Sequence, residues 1–196
     1  MHIEKQNDPT SMGLFGLALV TLVASSTKLG LTHGVSGILP WSIFLGAGIQ
    51  LYAAKLDAKK GNNFGMTAFS AFGCFWLGVS LHWLISLKIL GIPAFNALDN
   101  NQFGFALIGY TVFSIYMTIA SLTVNKAMTI LFVLIDSLLI NMTLNNFDIE
   151  PSYTHNLAAI SELSISLMSF YMAAALMLNE RFKRQLLPLG KALINP

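Results

Sequence analysis

The chain has 196 residues, enough for one domain, with 55% hydrophobic residues, 10% charged residues and a formal net charge of +2. Soluble domains carry about 25% charged residues, so these charges are too few to coat a water-facing surface, and no basic cluster with interleaved aromatics points to nucleic acid. Cys74 is the single cysteine, which excludes an intrachain disulfide and a zinc site built of cysteines. In chain order, residues 1–11 are polar, lack the apolar core of a signal peptide, and read as a cytoplasmic N-terminal segment. Apolar stretches of about 20 residues follow, each the length of a spanning helix. They cover Met12 to Leu31, Ile38 to Ala54, Phe64 to Ser86, Phe103 to Val124, Ala127 to Leu144 and Leu157 to Leu178. Between them, Gly34 to Gly37, Lys55 to Asn63, Lys88 to Gln102, Asn125 with Lys126, and Asn145 to Asn156 read as loops. The expected architecture is an all-α membrane protein, a six-helix transmembrane domain over 12–178 with a basic cytoplasmic tail at 179–196.

Charge asymmetry sets the orientation, because cytoplasmic loops hold an excess of Lys and Arg. One side holds Lys5, Lys55, Lys59, Lys60, Lys126, Arg181, Lys183, Arg184 and Lys191, and the other only Lys28 and Lys88. This predicts an even number of spans with both termini cytoplasmic. Trp41 and Trp83 fall at the outer ends of the second and third spans, where amphipathic rings prefer to sit.

Acids inside spans are costly and mark either a path or a polar contact. Asp136 lies near mid-depth in the fifth span, and Glu162 about two turns into the sixth. Each reads as a proton-accepting group on a water-filled path or as a structural acid bonded to a neighbouring helix. Glu162, Ser166 and Ser169 share one face of a helix, as do Thr129, Asp136 and Thr143. These two polar stripes suggest a common interior, or ordinary hydroxyl bonding between helices. Gln50 reads as structural glue within the second span. No catalytic triad, metal-ligand spacing or phosphate-cradling loop stands out, so no enzyme activity, metal or cofactor is expected.

The stretch Gly61-Asn62-Asn63-Phe64-Gly65-Met66-Thr67-Ala68-Phe69, with Gly73-Cys74-Phe75-Trp76 behind it, resembles the third-helix signature of the acetate uptake transporter family. That family includes bacterial succinate–acetate permeases and fungal acetate or ammonia export proteins. Asp8-Pro9-Thr10-Ser11-Met12-Gly13-Leu14 is similar to its opening motif, with Asp8 in place of Asn. Leu178-Asn179-Glu180-Arg181-Phe182 and Leu187-Pro188-Leu189-Gly190 resemble its closing motifs. The resemblance implies a homo-hexamer of six-helix protomers, each with a central pore for acetate or a similar small carboxylate such as succinate, commonly with a proton. A compact chain with short tails suits a bacterial inner membrane as the setting.

By position, the family's apolar pore constriction falls on Leu17, Phe72 and Ile135, where this chain departs from the family's Phe, Tyr and Leu. The same motifs place the substrate path along Asp8, Pro9, Gly13, Leu14, Asn62, Thr67 and Ser70, joined by Ser166 and Ser169. A short apolar neck dewets and resists hydrated ions, and a carboxylic acid crosses it far more cheaply when protonated. Asp136 beside the neck, with Glu162, is therefore expected to couple passage to a proton. Two rival readings are a channel for a small neutral solute or weak base such as ammonia or urea, and a membrane scaffold that transports nothing.

Overall fold

The computed structural model describes residues 8–195. Lys5, most of the expected N-terminal segment and Pro196 of the tail lie outside them. The described chain is helical: α1 Thr10–Lys28, α2 Leu39–Trp41, a π-helical segment Ser42–Ile49, α3 Gln50–Lys60, α4 Asn63–Ser86, α5 Ile92–Asn96, α6 Asn100–Ser121, α7 Lys126–Asn146 and α8 Pro151–Phe182. Five of them, α1, α4, α6, α7 and α8, are long and apolar enough to cross a bilayer. The second predicted span is divided among α2, the π segment and α3, which run without a break from Leu39 to Lys60.

The ends of these helices follow from local chemistry. Asn62, Asp99 and Asn125 cap α4, α6 and α7 by accepting from the backbone N–H of Gly65, Asn101 and Met128 at 3.2, 2.9 and 2.8 Å, which satisfies donors that a helix start leaves free. Asp99 thus starts α6 inside the stretch that reads as a loop, and Pro93 opens the short α5 there. A proline at the first turn also starts α8, at Pro151, six residues before the predicted boundary. α1 stops at Lys28 rather than Leu31, because the N–H of Leu31 turns back to the Ser26 carbonyl at 2.9 Å.

The long helices stand in a ring. α1 packs on α8, α8 on α7 and α7 on α6; α6 meets α4 lightly, and α4 packs on the π segment and α3, which return to α1. Close approach on the last side needs Gly46, where a Cβ would lie 2.7 Å from Trp76 Cγ of α4. Between α4 and α6, Tyr110 donates to the Ala71 carbonyl at 3.0 Å, and Phe72, Phe75, Tyr110 and Phe113 form an aromatic cluster. The main core runs through the ring from Leu14 and Leu17 to Leu139 and Ile165. Residues such as Phe105, Val112, Ile119, Val133 and Leu167 remain exposed on the outside, the inversion expected of a bundle surrounded by lipid.

The tail folds back. Lys126 and Ala127 donate their backbone N–H groups to the carbonyls of Lys191 and Leu189 at 3.2 and 2.9 Å, so the tail satisfies the free donors at the start of α7. Asn179 accepts from the N–H of Leu186 and Leu187 and donates to the Leu187 carbonyl, and Tyr171 donates to the Pro188 carbonyl. The closing motif is therefore a clamp that folds the chain over one end of the ring.

Candidate functional site

The ring encloses a cavity of about 510 Å³ that opens beside Asp8, Lys60, Asn62 and Asn125. Its deepest lining residues on α1, α4 and α7 are Leu17, Phe72 and Ile135, each no more than 8% exposed. Phe72 is held edge-on against Phe113, ring centroids 5.5 Å apart, and tilted against Phe132 at 6.2 Å. The walls between mouth and floor are apolar, with Leu14, Phe69, Met128, Leu131 and Met172 among them.

Two polar groups break this apolar wall. Gln50, 1% exposed, lines the cavity, and its Nε2 has no hydrogen-bond partner among the described residues. Asp57, fully buried, accepts from Asn62 Nδ2 at 2.9 Å through one oxygen, while the other, Oδ2, has no partner among the described residues. Gly65 leaves room for this carboxylate, since a Cβ there would collide with it. Asp57 lies beyond the apolar span that closes at Ala54. Burial pushes its carboxyl above the usual carboxylate range; the Asn62 amide opposes the shift, Asp8 adds to it and Lys60 opposes it. In the sequence Gln50 reads as structural glue, and Asp57 does not stand out because it lies among Lys55, Lys59 and Lys60 and looks like loop charge. One signal was present: Gln50, Ala53, Ala54 and Asp57 follow the i, i+3, i+4, i+7 spacing of one helix face, and all four are buried.

Of the predicted path residues, Asp8, Leu14 and Asn62 line the cavity. Asp8 also accepts from Thr10 Oγ1 at 2.7 Å and lies 3.8 Å from Lys60 Nζ. Pro9 caps α1, and Gly13 packs on the Phe69 ring. Thr67 and Ser70 stand apart from the lining, with the Ser70 hydroxyl donating to the Thr67 carbonyl at 3.2 Å. Ser166 donates to the Ala18 carbonyl at 2.8 Å and so ties α8 to α1; Ser169, on the same face, is fully buried with no partner among the described residues.

The two intramembrane acids lie elsewhere. Asp136 accepts from Thr118 Oγ1 of α6 at 2.6 Å, and Thr129 of the same stripe donates to the Ser121 carbonyl of α6 at 3.2 Å. Asp136 and Thr129 thus face α6, and no member of the stripe lines the cavity. Glu162, 2% exposed, is paired with Lys28 of α1 at 2.8 Å. At the opposite end of the ring a second cavity, of about 130 Å³, is bordered by Lys28, Asn145, Asn146 and His155 together with Phe103, Leu107, Met142 and Ala158. The two cavities share no lining residue. Along α7, the seven-residue step from Ile135 to Met142 separates them by about 10 Å at about 1.5 Å per residue. Among the described residues no group of three or more His, Cys, Asp or Glu is gathered to hold a metal ion.

The model of the GPR1/FUN34/yaaH family matches residues 1–188. The chain is 29% identical over 191 residues to the succinate-acetate/proton symporter SatP of Escherichia coli (strain K12), covering 96% of this chain and 97% of that one. It is 28% identical over 144 residues to acetate permease A of Emericella nidulans, covering 69% and 48%. It is also 28% identical over 143 residues to ammonia transport outward protein 3 of Saccharomyces cerevisiae, covering 71% and 52%. Its fold superposes on the solved structure of the bacterial acetate channel SatP with a TM-score of 0.87 and 28% identity, over 95% of this chain and all of that one.

Proposed function

The chain belongs to the GPR1/FUN34/yaaH family and is a multi-pass integral membrane protein; from that premise we propose that it carries acetate, or a monocarboxylate of similar size, through a pore inside each protomer. One observation carries the reading. The apolar cavity ends at Leu17, Phe72 and Ile135 and has in its lining Gln50, whose buried Nε2 has no partner among the described residues. Such a cavity suits a small acid with one polar end. The Gln50 N–H receives the carboxyl group, and the methyl group meets the aromatic floor. The closed stretch beyond the floor excludes hydrated ions and favours the neutral acid.

The proton is proposed to exchange at Asp57. Asp57 lines the cavity and its Oδ2 has no partner among the described residues, whereas Asp136, bonded to Thr118 through one oxygen, and Glu162, paired with Lys28, lie outside the lining. The apolar part of the continuous helix Leu39–Lys60, as far as Ala54, serves as the sixth span and leaves Asp57 and Lys60 at its end. The excess of Lys and Arg near the large cavity supports a cytoplasmic position for that end and for both termini. The exposed apolar faces of α4 and α6, with the shallow groove at Ala71, Ala106 and Gly109, are the surfaces on which copies would assemble into a hexamer.

Purified protein in liposomes tests the reading. Labelled acetate is expected to enter faster than into protein-free vesicles, and faster still when the opposite compartment is alkaline. Absence of acetate flux from folded protein would sink it. A second reading, conduction of a weak base such as ammonia, draws on the buried Asp57 carboxylate, which has no cation within ion-pairing distance among the described residues. Competition separates the two: propionate suppresses acetate flux in the first, and ammonium flux without acetate flux supports the second.

A further inference from the structure

We propose that the small cavity at the far end of the ring is a capture site for a carboxylate anion, with Lys28 as its anion-binding residue and Glu162 as the buried counter-charge behind it. This rests on the transport reading above and adds a second, charged station to it. The Lys28 ammonium donates to Glu162 at 2.8 Å, yet the two partners differ in surroundings: the Lys28 side chain is 21% exposed and the Glu162 side chain 2%. Lys28 borders the cavity and Glu162 does not. The pair is thus a fixed dipole whose positive end faces the open space. Glu162 takes one of the three N–H donors of the ammonium and leaves the others for a guest.

The rest of the cavity matches the same guest. Asn145 and Asn146 each use an amide N–H on a backbone carbonyl, of Pro151 and Asn100, and each amide has a second N–H to give. His155 is fixed with Nε2 at 3.0 Å from the Lys28 carbonyl. Phe103, Leu107, Met142 and Ala158 supply an apolar side. The volume, about 130 Å³, equals that of roughly four waters at about 30 Å³ each, which admits one short-chain carboxylate. An isolated buried ammonium would hold an anion too tightly for passage. Glu162 offsets part of its field, and conduction needs a site that also releases its guest.

The anion gathered at Lys28 would take up a proton from the water in that cavity before crossing and give it up on the Asp57 side, so the site raises the local supply and not the rate of crossing. The test is acetate uptake into proteoliposomes over a range of concentrations, with wild type, Lys28→Arg and the neutral pair Lys28→Gln with Glu162→Gln. The neutral pair leaves no buried charge unpaired. Its half-saturating acetate concentration is expected to rise about tenfold, the worth of one charge-assisted hydrogen bond, with less than a twofold change in maximal rate, and Lys28→Arg should stay near wild type. An unshifted half-saturation in the neutral pair overturns the capture site. If the neutral pair does not fold, wild-type protein decides: acetate should slow labelling of Lys28 by an amine-reactive ester, read by mass spectrometry against the other lysines, and chloride should not. Equal labelling with and without acetate overturns the proposal. Wild-type liposomes that pass no acetate defeat the transport reading itself, whereas wild-type flux with an unshifted variant defeats only the capture site.

Discussion

Asp57 is a carboxyl group that the fold buries against a cavity, with one oxygen bonded to Asn62 and the other without a partner among the described residues. The folded chain therefore holds its proton to higher pH than the unfolded chain does, and the consequence for stability has a definite sign. The contribution is fully present below the ordinary carboxylate value, near pH 4, and is lost as pH rises through the elevated value in the fold. Asp57→Asn keeps an oxygen for the Asn62 amide and removes the ionisation. Thermal unfolding in detergent should therefore show wild type losing stability from about pH 4 upward while Asp57→Asn loses less over the same interval. Parallel curves would place the free oxygen in contact with water. Gln50 is the neutral counterpart one face-length away, and together the two explain why this helix carries polar residues at buried positions where its neighbours carry alanine.

At the scale of elements, the tail and α8 act as one unit. Asn179 near the end of α8 makes three hydrogen bonds to Leu186 and Leu187, and through them Leu189 reaches both the start of α7 and the cavity lining. Asn179→Ala should cost about 0.5–1.5 kcal/mol, because these partly exposed backbone groups exchange a protein partner for water. It should also expose the bonds after Lys183 and Arg184 to trypsin several-fold faster than in wild type; an unchanged cleavage rate would show that Tyr171 and the α7 contacts suffice to hold the tail. The sequence revealed little of this, since a basic segment after the last span looks like solvated charge. Long apolar runs, by contrast, show the spanning helices directly, and motif positions on three separate helices, Leu17, Phe72 and Ile135, come to one cavity. Periodicity told that Thr129 and Asp136 share a face but not which neighbour that face meets; it meets α6. Nor can any local spacing link Glu162 to Lys28, 134 positions earlier, because that pairing exists only once α1 lies against α8.

On the scale of the whole molecule, the ring has a large cavity at one end and a small one at the other, and the two share no lining residue. The large cavity narrows to Leu17, Phe72 and Ile135, and under the proposed function the width of that floor selects which acids pass. Phe72 is its largest side chain and is positioned by Phe113 and Phe132. Phe72→Leu keeps the surface apolar, so the barrier to ions persists, but it removes a ring and opens space. Acetate already fits, and its flux should change less than about threefold, the effect of one or two methylene-sized contacts. Butyrate and other longer acids should gain more, raising the ratio of butyrate to acetate flux in proteoliposomes, while chloride remains excluded by the unchanged apolar lining. Selection by width and selection by charge are separable in this way: a variant that admitted chloride along with butyrate would show that Phe72 holds the closed stretch shut, and a variant with the wild-type ratio would move the size filter to the segment between Ile135 and Met142.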